Sequence, residues 1–272
     1  MAAPAAAWLL PARGVAAPPG SPRLVCLGGA GGAAWMFHSW AAPLAARGVA
    51  VLPVELPGHG ARLREPRAAA DLAALAAQLV DALAPELAGG PPCAIFGHSM
   101  GAWLAWEVAQ ELARRGLRPL ARLFVSGNRA PWLAGAAHDP DATRLHALPP
   151  DAFWAAFERR YGANASLADP VLRALAFPVL RDDFAMVERY APSAPEATTA
   201  VPITAVGARL DRRYSPEQLA AWARHAAPGA DFQTLWLEGV GHGYVADAPP
   251  ALLSAIAAQL APLAGAGAGE QG

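Results

Sequence analysis

The sequence predicts an α/β protein with a mostly parallel central sheet flanked by helices. Two observations carry this: six short apolar runs, each bounded by glycine or proline, and longer stretches between them whose apolar residues recur at helical spacing. A strand that is apolar on both alternations must be covered on both faces, and alternation of strand with helix favours parallel pairing. A third observation is a break in the pattern between about residues 131 and 195, where only amphipathic helices are read.

In chain order the strands read as "RLVCLGG" from Arg23, "VAVLPVE" from Val49, "CAIFG" from Cys93, "ARLFVSG" from Ala121, "VPITAVG" from Val201 and "FQTLWLEG" from Phe232. Helices follow Asp71, Ser99, Ser215 and Ala248. At the third of these, Ser215 precedes Pro216, and Gln218 stands three residues after the serine, the chemistry of a capping box. Within the break, "LPPDAFWAAFERRYG" and "DPVLRALAFPVLRDDFAMVERY" supply two aromatic-rich helices. The expected organisation is a loose N-terminal extension over 1–20, a core over 21–130 and 196–263, a helical lid insertion over 131–195, and a disordered tail over 264–272.

At 272 residues the chain accommodates one sizeable core with an insertion. Hydrophobic residues make up 54% and mean hydropathy is +0.24, but alanine supplies much of this, and no run approaches the roughly 20 strongly apolar residues that cross a bilayer. All 21 basic residues are arginine and the formal net charge is -1, so there is no electrostatic footprint for nucleic acid or a membrane surface. Cys26 and Cys93 lie in apolar runs and read as small buried hydrophobes. The opening segment lacks the positive region of a secretory signal, and a cytoplasmic protein is expected.

Gly97-His98-Ser99-Met100-Gly101 follows one strand and opens a long helix, the setting of a nucleophile elbow. A serine hydroxyl needs a base within hydrogen-bond reach and a carboxylate to orient that base. Of seven histidines, His242 follows the last strand between Gly241 and Gly243, so a loop can bring it over the elbow. Asp211 lies just beyond the strand ending at Gly207, at the carboxyl edge of the sheet; Glu238 is the rival acid, but only four residues before His242. The order Ser99, Asp211, His242 is that of the α/β-hydrolase fold. Two backbone amides must receive the developing oxyanion, and Met100 and Ala30, the latter in "LGGAGGAAW", are the expected donors. A phosphate-cradling loop is not indicated, because no Gly-Lys-Ser/Thr follows those glycines.

These motifs resemble the stand-alone type II thioesterases of polyketide synthase and nonribosomal peptide synthetase pathways. The resemblance runs from about Arg23 to Ala257 and includes "ELPGHGARLREP", "FGHSMGAWLAWEVA", "SGNRAP", "HALPPDAF" and "VPITAVGA" in the family's order. It implies the same five site residues, no cofactor beyond the phosphopantetheine arm of an acyl or peptidyl carrier protein, and a monomer that clears stalled or aberrant acyl groups. Dedicated product release or acyl transfer would use the same residues. The chain departs from the family's pattern at Gly28-Gly29, where Pro-His is usual, and at His59, where the usual residue is arginine. Carrier proteins are generally acidic, so Arg62, Arg64 and Arg129 are candidate docking residues.

Overall fold

The computed structural model describes residues 8–264 apart from 68, 88, 118 and 119. Six strands, β1 (Arg23–Leu27), β2 (Ala50–Pro53), β3 (Cys93–His98), β4 (Arg122–Ser126), β5 (Ile203–Ala208) and β6 (Phe232–Leu237), form one sheet in the order β2-β1-β3-β4-β5-β6, parallel throughout. Along β1, Leu24 and Cys26 face one core while Val25 and Leu27 face another; β3 divides likewise, Ala94 and Phe96 against Ile95. The continuous apolar runs are therefore the summed alternation of two buried faces.

Helices α1 (His38–Ala45) and α7 (Pro250–Leu260) cover one face; α2 (Leu72–Leu87) and α3 (Met100–Arg114) cover the other. Between β4 and β5 the described residues form no strand: short 3-10 turns lead into α4 (Pro150–Tyr161) and α5 (Pro170–Glu188), which build a third core from Leu145, Phe153, Trp154, Ala156, Leu180 and Phe184. After β5 comes α6 (Pro216–Ala220), opened by Ser215 with both capping-box hydrogen bonds in place. Cys26 and Cys93 are free and buried. No helix among the described residues is long and apolar enough to cross a membrane.

One expectation needs correction, and one helix was not foreseen. The first twenty residues are not wholly loose. Trp8 is 4% exposed within the core beside α2 and α3, Leu9 bridges Val54 in antiparallel sense, and the amides of Leu10 and Glu55 donate to Pro53 O and Trp8 O. The outermost strand leaves backbone groups unpaired, and the apolar "WLL" both bonds to that edge and buries its indole. Residues 1–7, and 265–272 of the tail, lie outside the described residues. Helix α1 was absent from the sequence reading because Pro43 interrupts its pattern; packing of the buried Trp40, whose Nε1 donates to Val245 O at 2.8 Å, outweighs that proline.

Candidate active site

Ser99 occupies the single turn between β3 and α3 at φ +56°, ψ −115°, a left-handed conformation costly for any residue with a Cβ. Its surroundings hold it there. The Ser99 amide donates to Ser126 O at 2.8 Å, and Ser99 O accepts from Asn128 Nδ2 at 2.9 Å and from the Ala102 amide at 3.0 Å. The flanking glycines are required by space: a Cβ on Gly97 would overlap Gly101 backbone, and one on Gly101 would overlap Leu27 O of β1.

The loops after β5 and β6 are joined by a hydrogen bond from the Leu210 amide to Val240 O, which brings Asp211 and His242 together. His242 Nε2 lies 3.0 Å from Ser99 Oγ, and His242 Nδ1 lies 2.7 Å from Asp211 Oδ2. Asp211 Oδ1 accepts from the Arg213 amide at 2.9 Å. Burial pushes the Asp211 carboxyl up, but hydrogen bonding and proximity to His242 outweigh it, so Asp211 is held below the usual aspartate range. Glu238 is turned away, 78% exposed and paired with Arg209.

Ala30 and Met100 both adjoin Ser99. Gly29 sits so close that a Cβ there would lie 3.2 Å from the Ser99 Cβ, and Ala30 lines the same cleft as Ser99 and His242. Met100 is the first residue of α3, where an amide has no intrahelical acceptor, and neither it nor the Ala30 amide is hydrogen-bonded among the described residues. Two amides without partners beside a serine hydroxyl can receive a developing negative charge.

Two spaces meet at Ser99, Tyr161, Phe184 and His242. One, about 420 Å³, is lined by Ala30, Met36, Phe157 and residues 162–165. The other is tighter, about 40 Å³, and its walls include Trp103, Arg129, Asp139, Arg160, Glu188 and Arg213. Those charges are mutually paired: Arg213 to Asp139 at 2.7 Å and Arg160 to Asp141 at 3.0 Å.

Sequence reasoning missed His98. Its ring is buried 5.0 Å from that of His242, with Nδ1 3.0 Å from Ser126 Oγ, which in turn bonds to Tyr244 Oη. Burial, reinforced by His242, pushes His98 down to about 3, so it is neutral near pH 7. Tyr161, whose ring lies 5.0 Å from that of His242, also escaped notice, as did Asp183 on α5, whose carboxylate accepts from the Gly31 amide. Both lie on helices of the insertion, and each reaches the site only through the way those helices fold back over the sheet. Of the arginines expected to face a partner, only Arg64 is exposed: Arg62 is buried over the Trp8 ring and bonded to Glu65 and Glu55 O, and Arg129 is buried over Trp103 with Nε on Leu133 O. Their stems are drawn in by indole rings, and the guanidinium groups find carbonyl partners.

A parallel six-stranded sheet with a serine at the β3–α3 turn, and an acid and a histidine on the loops after β5 and β6, defines the α/β-hydrolase fold. Comparison with known proteins gives the narrower placement. The thioesterase-domain family profile matches residues 22–260, and the chain belongs to that family. Thioesterase PikA5 of Streptomyces venezuelae is 37% identical over 213 residues, 78% of this chain and 72% of that protein. Among solved structures, the RedJ thioesterase of the prodiginine pathway in Streptomyces coelicolor is 35% identical with a TM-score of 0.76, covering 91% of this chain and 97% of its own. The type II thioesterase BorB of the borrelidin cluster is 30% identical, TM-score 0.76, over 93% and 98%. This protein is thus a thioester hydrolase related to type II thioesterases of polyketide and nonribosomal peptide pathways.

Proposed function

We propose that the protein hydrolyses acyl or aminoacyl thioesters from the phosphopantetheine arm of carrier proteins, with Ser99 as nucleophile, His242 as base and Asp211 as orienting acid. The single observation carrying this is the hydrogen-bonded series from Ser99 Oγ through His242 to Asp211, at 3.0 and 2.7 Å. Ser99 Oγ attacks the thioester carbonyl carbon as its proton passes to His242 Nε2, and the carbonyl oxygen becomes an oxyanion facing the Ala30 and Met100 amides. The C–S bond then breaks, and the leaving sulfur takes the proton from His242. Water repeats the attack on the acyl-serine with His242 again as base, releasing a free acid and restoring Ser99.

Asp211 keeps the Nδ1 proton in place and stabilises the imidazolium formed in each half-reaction. The scheme needs no metal or organic cofactor beyond the arm of the carrier. Its setting is the cytoplasm, its physiological role removal of stalled or aberrant acyl groups, and its acting form a monomer. The larger cleft, open and partly apolar, suits the approach of the arm and a short acyl group.

The test is single-turnover hydrolysis of acyl groups loaded on a carrier, followed by intact mass. Ser99→Ala should leave the loaded carrier intact over the time in which the wild type clears it. Equal clearance by the two proteins would overturn the assignment of Ser99.

A further inference from the structure

Asp183 joins the insertion to the loop that carries Ala30. Its Oδ2 accepts from the Gly31 amide at 2.6 Å and faces His59 Nε2 at 2.8 Å, while its Oδ1 accepts from Arg67 at 2.7 Å. Asp183 is 0% exposed and His59 2% exposed. Gly31 has φ +70°, and a Cβ there would strike Leu180 Cδ2 at 2.6 Å, so this peptide seats directly on α5. One residue earlier, Ala30 packs against the insertion core. The loop is therefore fixed at two points, Gly29 against Ser99 and Gly31 against α5, with the Ala30 amide between them.

We propose that Asp183 is a positioning residue for the oxyanion loop, and that His59, as the imidazolium, holds the Asp183 carboxylate where the Gly31 amide needs it. This rests on the reading of Ser99 as nucleophile and Ala30 as oxyanion donor. Both ring nitrogens of His59 face acceptors, Nδ1 toward Pro57 O at 3.2 Å and Nε2 toward Asp183, so only the doubly protonated ring donates to both. Burial opposes that charge and Arg67 repels it, but the Asp183 carboxylate outweighs both, so His59 titrates above the ordinary histidine value. Other charged groups nearby are spoken for: Asp182 pairs with Arg67, Glu55 accepts from the Ala34 and Ala61 amides, and Arg62 pairs with Glu65.

A positioning role predicts a defect in the rate of reaction rather than in substrate binding. Asp183→Asn and His59→Gln should each lower kcat by about 10- to 100-fold, the scale of a small displacement near the chemistry, with KM little changed. Wild-type kcat should fall as pH rises through the raised His59 value and the ring loses its proton, whereas His59→Arg, which keeps a cation beside Asp183, should retain activity across that range. Should Asp183→Asn fail to fold, the two His59 variants still decide. Wild-type kcat in His59→Gln, or the same alkaline decline in His59→Arg as in wild type, would overturn the proposal. If Ser99→Ala is inert while Asp183→Asn and His59→Gln keep full kcat, the positioning role alone fails. Full activity in Ser99→Ala instead removes the reading on which it rests.

Discussion

Ser99 is held in a conformation that costs on the order of 1–3 kcal/mol, and the bonds to Ser126 O, Asn128 and Ala102 keep it there. Asp211 acts one step away, through His242 Nδ1. Asp211→Asn should lower kcat by about four orders of magnitude with the fold intact, because the amide cannot enforce the required tautomer. Stopped-flow release of thiol checks this, and a loss under tenfold would count against it. Ser99, Asp211 and His242 were legible because each follows a strand, Ser99 between Gly97 and Gly101, His242 between Gly241 and Gly243, and Asp211 on the loop after β5, in an order that chain position alone reveals. The His59–Asp183 pair was not, since its partners lie 124 residues apart and no local pattern relates one to the other. Arg62 was misread because a side chain's charge is visible in sequence while the tryptophan beneath it is not.

The strands and helices α2, α3, α6 and α7 follow from periodicity and punctuation, and the Ser215 capping box from spacing alone. Ser215→Ala should destabilise by about 1 kcal/mol. For a chain of this size that lowers Tm by about 2–4 °C, measurable by scanning calorimetry, and an unchanged Tm would show the cap to be dispensable. Helix α1 eluded the pattern because burial of Trp40 decided its conformation, a tertiary effect that no window of sequence contains. Helices α4 and α5 were readable as helices; their aromatic contacts with the site, such as Tyr161 against His242, depend on how the insertion folds back over the sheet.

The molecule as a whole should lose stability in acid for two reasons of the same sign. His98 takes up a proton near pH 6.5 when unfolded but only near about 3 when folded, so stability declines as pH falls between those values, by up to about 1.4 kcal/mol per pH unit from this group. Asp183 and Asp211, both held below the usual aspartate value, add losses as pH falls below about 4. His59, whose raised value contributes in the opposite sense, adds its full stabilisation once pH is below the ordinary histidine value, so urea midpoints measured from pH 6 to 3 should decrease throughout, and a flat profile would contradict the buried neutral His98. The parallel sense of the sheet was legible because alternating strands and helices require crossover connections, while the strand order emerges only in the folded sheet; the Trp8–Leu10 segment was not legible, because its partner strand follows it by more than forty residues. That segment also governs how the protein behaves in company. Trp8, Leu9 and Leu10 occupy one margin of the sheet, leaving β6, among the described residues, as the margin at which a foreign strand can add. Removing residues 1–10 should free β2 to pair between molecules, and light scattering would register this as concentration-dependent aggregation well below the temperature at which the intact chain unfolds.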